Sequence, residues 1–600
     1  MIRQIKKTLL LLKSQWKLLL VFEFWYQMIA GILVVPICME GLKLAIRVAG
    51  YSYITNGNLT EILTNPISDI LFIIILLILA LYSLIEIACL IVCFDCGYHG
   101  TKIGVIDLLK EGLKKAKRLV SLRNIGLVLF VLLILPLTNF VMLSSFITEL
   151  TIPEFIMDFI NKNVVLSMLF TGLMIIFFLI TLHLLFVFHY TFLKNKTARE
   201  GAKDSYDLIK GKRMKSIATI VVFNILLTII LLAVFMFVFF ITTIGIKNGN
   251  QQGVGFAIFL SVMNFINLVL LFVFDSMSVS SNYALISTLF YDYTKEKLGV
   301  KYEVKETSKK GKKRFCLAFG SVILLLLIGN TMYMYQAIHS GELDEGVILE
   351  RTKVTSHRGN SVVAPENTLP AFEAAIKEQA DYAELDVQET KDGVVIVSHD
   401  SNLKRTTGQN KNVWELTYGE IQQLDAGSFF SQKFAGTKIP TLEEVIQLCK
   451  GKIKLNIEIK PNGHDQRLEE ATVEVIKKNH FEEECVVTSL TYDCLKKVKQ
   501  IAPELKTGYI LSVGIGQFYD LPDTDFFSIE SSFITEEVVR QLHSREKEVH
   551  AWTVDSEENL EKMIQLEVDN IITDNPKKAK EIIYRKDSYK NKLFDLVWDL

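Results

Sequence analysis

The sequence predicts an α-helical membrane domain of about seven spans, followed by an α/β domain that closes as an eight-stranded barrel. Three observations carry this prediction. The chain has 600 residues, too many for one ordinary domain. Half of its residues are hydrophobic and its mean hydropathy is +0.31, yet almost all of the apolar excess lies before residue 337. After residue 353, short apolar runs alternate with amphipathic helical ones, the pattern of a parallel α/β domain. The expected organisation is a membrane domain over 1–336, a linker over 337–350, a barrel over 351–585 with an insertion at 401–440, and a tail over 586–600.

In the first half, apolar stretches of spanning length fall near 18–38, 70–94, 124–147, 165–192, 217–245, 254–280 and 315–336. Backbone groups in lipid have no water partner, so these runs are expected to be helical. The first follows Arg3, Lys6, Lys7, Lys13 and Lys17 without a small-residue cleavage site, which predicts a retained anchor. The sixth is expected to break at Asp275, before the polar run Ser276–Asn282, and to continue as an interfacial helix through Tyr293. Loops 95–123, 193–216 and 292–314 hold seven, eight and nine Lys/Arg, against two, one and one in 39–69, 148–164 and 246–253. The positive-inside rule makes the first set cytoplasmic. The N-terminus is then cytoplasmic and everything after 336 extracytoplasmic, in a multi-pass protein of the plasma membrane. Glu23, Glu86, His183 and His189 lie within spans and are read as interhelical hydrogen-bonding or edge residues.

Net charge is −1, with the basic residues of the first half clustered between apolar runs, so no nucleic-acid surface is indicated. Eight cysteines are few for this length. Cys449, Cys485 and Cys494 of the second half have no framework spacing, and no required disulfide is expected. Cys93 and Cys96 read as two ordinary thiols at a helix end.

Strands are predicted at 353–357, 382–387, 394–398, 453–459, 485–489, 506–511, 525–529, 548–554 and 570–573. Helices are predicted near 368–379, 441–450, 466–479, 491–501, 535–545 and 556–566. Nine strands exceed a barrel's eight by one. Asp392-Gly393 favours a two-residue hairpin loop, so 394–398 runs back along 382–387 outside the parallel count. With Lys391 facing Val394, counting back sets Asp386 opposite His399. The remaining eight strands predict a TIM-type (β/α)8 barrel, whose chemistry collects at the C-terminal ends of strands.

The candidate site residues fall at those ends. Residues two apart on a strand share a face, so Glu384 and Asp386 present two carboxylates to one side. Glu458 and Lys460 pair a carboxylate with a cation in the same way. Paired oxygen ligands of this kind suit one hard divalent cation, Mg²⁺ or Ca²⁺, better than zinc. His357 and Arg358 close the first strand, Gly359 permits close backbone approach, Glu366 lies in the following loop, and Trp552 ends a late strand. His399 ends the returning strand, and Asp400 is expected to orient its loop. His464, His480, His543 and His550 read as ordinary surface or core residues.

The motifs HRG (His357–Gly359), PENT (Pro365–Thr368), ELDV (Glu384–Val387), KDG (Lys391–Gly393), SHD (Ser398–Asp400), IPTLEE (Ile439–Glu444) and IEIK (Ile457–Lys460) occur in this order. Over roughly Val354 to Pro576 the chain resembles the glycerophosphodiester phosphodiesterase family. The hydrophobic half is similar to the membrane domain that some bacterial members carry ahead of the enzyme. The resemblance implies a TIM-type barrel with a small lobe over its mouth, and the same roles for the histidines, the arginine and the metal carboxylates. The expected activity is metal-dependent hydrolysis of a small glycerophosphodiester to an alcohol and glycerol 3-phosphate at the outer face of the membrane. Glu384, Asp386 and Glu458 are expected to hold the cation, and His357 and His399 to serve as general base and acid. Arg358 and Lys460 are expected on the phosphate, Glu366 as substrate ligand or supporting residue, and Trp552 against the glycerol-like moiety. Membrane lipid is the other expected partner.

Two further classes share these features. One is a phospholipase- or lyase-type enzyme acting on lysolipids or on a cell-wall glycerol-phosphate polymer. The other is a membrane receptor or transporter with a binding barrel, which the full set of acid, base, metal and phosphate residues argues against.

Overall fold

The computed structural model describes residues 1–134 (apart from 118 and 120), 163–248, 254–295 and 352–586, with scattered positions within 156–160 and 321–336. The chain divides into two compact units. One comprises Met1–Leu42, Ile70–Glu345 and Tyr589–Leu600, the other Lys43–Asp69 and Gly346–Ser588.

In the first unit, five helical stretches among the described residues are long and apolar enough to cross a membrane: Ile2–Val48, Pro66–His99, Val164–Lys194, Arg213–Asn248 and Gly255–Thr294. They coincide with the first, second, fourth, fifth and sixth predicted spans. Of the third, Ile125–Leu129 and Phe130–Ile134 are helical and the rest lies outside the described residues, as does most of the seventh. The sixth does not break after Asp275 but runs unbroken from Val254 to Thr294. Several of its polar groups are satisfied by other helices: Ser280 Oγ donates to Glu23 Oε1 at 3.0 Å, Ser287 Oγ meets His189 Nε2 at 2.9 Å, and Asn282 exchanges bonds with Asn224.

The second unit is built on a nine-stranded sheet. Its strands are β1 (Lys353–Ser356), β2 (Tyr382–Glu389), β3 (Val395–Val397), β4 (Lys454–Ile459), β5 (Cys485–Ser489), β6 (Thr507–Leu511), β7 (Phe526–Glu530), β8 (Glu548–Trp552) and β9 (Asn570–Thr573). Eight of them pair in parallel, and β1 joins both β2 and β9, so the sheet closes into a barrel. β3 alone is antiparallel and returns along β2. Alternation along each strand decides what faces where. Ala383, Leu385 and Val387 of β2 join the apolar layer between sheet and helices, which leaves Glu384, Asp386 and Gln388 on the inner face.

The hairpin register differs by one residue from the expected one. Val387 pairs with Val397 and Gln388 with Ile396, and Ser398 N donates to Asp386 O, so Ser398, not His399, stands opposite Asp386. The loop has three residues, Lys391 to Gly393, closed by Thr390 N bonding to Val394 O. Gly393 takes φ +79°, the left-handed position that a three-residue hairpin loop needs.

All six predicted helices of this half form, from Leu369–Lys377 to Glu557–Gln565; Pro576–Lys586 adds another after β9, and the insertion holds two single-turn helices, Lys404–Thr407 and Tyr418–Ile421. The insertion builds its own small core from Leu403, Val413, Leu416, Ile421, Ala426 and Ile439 around Ile396. Between β6 and β7 there is no α-helix, only a two-residue strand, Ile515–Gly516, and a 3₁₀ turn, Phe518–Asp520. Ile515–Gly516 pairs antiparallel with a second two-residue strand, Tyr53–Ile54. Of the expected tail over 586–600, Lys586 ends the helix after β9 and the remainder lies outside the described residues.

Candidate active site

Parallel pairing of β2 with β4 aligns Glu384 with Asn456 and Asp386 with Glu458. One carboxylate oxygen from each of Glu384, Asp386 and Glu458 lies within 4.8 Å of the others. Glu384 and Asp386 are 4% and 1% exposed. Three acids this close and this dry cannot all ionise unaided. Burial, joined by the charge of Asp386 and Glu458, pushes Glu384 up to about 8. Burial and Asp386 also raise Glu458, against the pull of Lys460. Asp386 goes the other way: burial opposes its charge, but Lys460, His399, Arg358 and a hydrogen bond from Asn367 outweigh that and hold it well below the usual range. Glu458 Oε1 is buried without a hydrogen-bond partner. An orphaned oxygen beside two inward carboxylates is a donor set that fits a hard divalent cation.

The loop after β1 wraps this cluster. Arg358 has φ +53°, which turns its N–H onto Glu384 Oε2 at 2.7 Å. Gly359 follows at φ +75° and donates to Glu384 O at 3.0 Å, while a Cβ there would lie 2.7 Å from that of Ala371. Only glycine fits. The Arg358 guanidinium bonds Glu366 through Nη1 at 2.9 Å, with its Nε 3.7 Å from Asp386. Lys460 Nζ lies 3.2 Å from Asp386 and 3.8 Å from Glu458. Two cations therefore flank the carboxylates, as an anionic substrate requires.

Each histidine is held through Nδ1. His357 Nδ1 meets Asp574 Oδ1 at 2.7 Å, and His399 Nδ1 meets Asp400 Oδ1 at 2.8 Å. A carboxylate at one ring nitrogen fixes the tautomer and leaves the other for proton transfer. Burial and Arg358 pull His357 down, but its bond to Asp574 and the charges of Glu384 and Asp574 prevail, so its net shift is upward.

The structure thus gathers His357, Arg358, Glu366, Glu384, Asp386, His399, Glu458 and Lys460 into one network at the C-terminal ends of the strands. Trp552 ends β8 as expected, where its indole N–H donates to Ser528 O at 2.9 Å. Two participants, Asp574 and Arg405, escaped the sequence reading, and Asn367, within the PENT motif beside Glu366, takes a role in the site. Asp574 orients His357 from the far end of β9, and TDN (Thr573–Asn575) at that strand's end was its only signal. Asn367, at φ +57°, donates to Asp386 Oδ2 at 2.8 Å. Arg405, from the insertion, bonds both oxygens of Glu366 at 2.7 and 2.8 Å and Asp400 at 2.6 Å.

Three clustered carboxylates, two flanking cations and two histidines held by carboxylates at the mouth of a parallel barrel are the groups that a phosphodiester-hydrolase type of site would use. Comparisons with known proteins agree. Residues 357–578 match the glycerophosphoryl diester phosphodiesterase family, and residues 5–332 match the membrane domain of glycerophosphoryl diester phosphodiesterase. A glycerophosphodiester phosphodiesterase of Caldanaerobacter subterraneus subsp. tengcongensis is 40% identical over 231 residues, covering 38% of this chain and 95% of that one. One from Bacillus altitudinis is 34% identical over 239 residues, covering 38% and 98%. A solved Oleispira antarctica phosphodiesterase, in complex with the product sn-glycerol-3-phosphate, is 30% identical over 39% of this chain and 98% of that one, with a TM-score of 0.38. The chain belongs to the glycerophosphodiester phosphodiesterase family, in the form that carries a membrane domain.

Proposed function

We propose that the barrel hydrolyses small glycerophosphodiesters to an alcohol and glycerol 3-phosphate, on one divalent cation, at the outer face of the plasma membrane. The observation that carries this reading is the carboxylate triad Glu384, Asp386 and Glu458, with Glu458 Oε1 lacking a hydrogen bond and Lys460 Nζ 3.8 Å from it. These three would hold Mg²⁺ or Ca²⁺, which when bound polarises phosphate and acidifies a coordinated hydroxyl. Arg358 and Lys460 bind the phosphoryl oxygens and stabilise the charge that builds on them. One of His357 and His399 takes the proton of the attacking hydroxyl, and the other gives a proton to the leaving oxygen. Asp574 and Asp400 keep both rings aimed throughout. Glu366 supports Arg358 and is positioned by Arg405, and Trp552 offers an apolar face to the glycerol carbons. The outer location is supported by the alternation of basic loops with spans.

The test is to incubate the purified full-length protein with glycerophosphocholine, glycerophosphoglycerol and a lysolipid, following products by ³¹P NMR. Glycerol 3-phosphate from the first two supports the reading. Turnover of the lysolipid alone, or a cyclic phosphate as final product, favours the phospholipase- or lyase-type alternative. Saturable binding without turnover of any of the three favours a receptor.

A further inference from the structure

Seven of the eight parallel strands are followed by an α-helix before the next parallel strand or the end of the barrel. β6 is the exception, although Tyr509 and Leu511 on its outer face are buried and belong to the apolar layer outside the sheet. Tyr492 and Leu495 of the preceding helix, with Phe518 and Tyr519, cover part of this face, the Tyr492 ring 5.5 Å from that of Tyr509. A further part of the cover comes from between the first two membrane spans. Tyr53 packs against this layer, and Tyr53–Ile54 pairs with Ile515–Gly516. Gly516, at φ +91°, lies so close that a Cβ would come within 2.7 Å of Ser52 O, so the two backbones meet only because glycine is there. Asn56 then clamps the end of β6. Its Nδ2 donates to Ile510 O at 2.7 Å, and its Oδ1 accepts from Ser512 N at 2.9 Å, Ser512 Oγ at 2.6 Å and Val513 N at 3.3 Å. Asn58 stiffens the same turn, bonding Thr55 N at 2.8 Å and Tyr53 O at 2.9 Å. The seam is not closed by packing alone, since a cavity of about 480 Å³ opens beside it, among Tyr51, Tyr53, Tyr492, Asp493, Tyr509 and Leu521. Its polar clamp therefore matters.

We infer that residues 51–58, between the first two spans, are an integral part of the catalytic barrel: they stand in for its missing helix, and Asn56 is a positioning residue that sets the Ile510–Val513 rim beside the active-site mouth. Two consequences follow. The barrel lies on the same side of the membrane as the loop between spans one and two, a constraint independent of the distribution of basic residues. The membrane domain also shapes the catalytic domain instead of only tethering it.

The test uses the full-length protein in native membranes. In Ile54→Cys/Ile515→Cys, opposed residues of an antiparallel pair are within disulfide reach. Mild oxidation should link the two positions, as read by peptide mass spectrometry. Asn56→Ala should raise KM for glycerophosphocholine about five-fold with kcat little changed, and should speed proteolysis within 510–516. Adding the cross-link to Asn56→Ala should restore both. Failure of folded protein to cross-link overturns the inference. So does an unchanged KM and cleavage pattern in Asn56→Ala, or a loss that the cross-link leaves in place. The kinetic arm rests on the proposed hydrolysis; the cross-linking and proteolysis arms do not, so the two failures are distinguishable.

Discussion

At the scale of single residues, electrostatics is the organising constraint. Glu384, Asp386 and Glu458 would repel one another out of a dry site unless cations were interleaved, and Arg358 and Lys460 are placed to do that. Glu458→Gln keeps the shape but removes one charge. It should weaken Mg²⁺ or Ca²⁺ binding by at least about 10–100-fold, read by calorimetric titration, and unaltered affinity would exclude Glu458 as a ligand. His357→Ala and His399→Ala should each lower kcat by about 10²–10⁴-fold, with KM moving less because the clamp remains. Asp574→Asn should mimic His357→Ala in kcat while the barrel stays folded by circular dichroism. Full activity in Asp574→Asn would show that the 2.7 Å contact does not orient the ring. The carboxylates were legible because spacing along one strand reports one face. Asp574 and Arg405 were not, because they reach the site from a distant strand end and from the insertion.

At the scale of elements, the insertion is tied to the mouth through Arg405, Glu366 and Arg358. Burial alone would raise Glu366, but the two arginines override it and hold its carboxyl at about 2. A carboxyl lowered on folding contributes stability above its unfolded value of about 4.3, and that contribution fades as pH falls toward about 2. Protection of 401–440 against hydrogen exchange, corrected for the pH dependence of intrinsic exchange, should therefore stay constant from neutral pH to about pH 5 and fall only below about pH 4. Release near neutral pH would contradict the clamp. Arg405→Ala should free the segment at every pH. Alternation and length gave the strands of the barrel and six of its helices to within a residue or two, and no expected helix fell between 506–511 and 525–529, so that much was legible. The hairpin register was not. Asp-Gly suits two- and three-residue loops alike, and which one forms is decided by the bond from Thr390 N to Val394 O, a pairing that sequence does not display.

At the scale of the whole molecule, hydropathy marks where the apolar half ends but says nothing about which loop returns to the barrel. Tyr51–Asn58 reads as an ordinary polar connection, because its partners lie more than 450 residues away. A protein truncated to 346–588 should accordingly melt below the barrel transition of the full chain. Loss of the Asn56 clamp alone, worth about 1 kcal/mol, corresponds to about 2–4 °C in Tm. Equal melting temperatures would mean that the segment contributes no stability. In cells stripped of their wall, protease should release a fragment bearing His357 and Glu458 while residues 292–314 stay protected. A barrel protected in intact cells would place it in the cytoplasm.

The most direct measurement is the rate at which full-length protein, freed of metal by chelator and dialysis, forms glycerol 3-phosphate from glycerophosphocholine. Turnover should be absent in the metal-free protein and return on titration with Mg²⁺ or Ca²⁺, and it should not return at the same concentrations in Glu458→Gln. Undiminished hydrolysis in the presence of chelator would contradict a cation held by Glu384, Asp386 and Glu458.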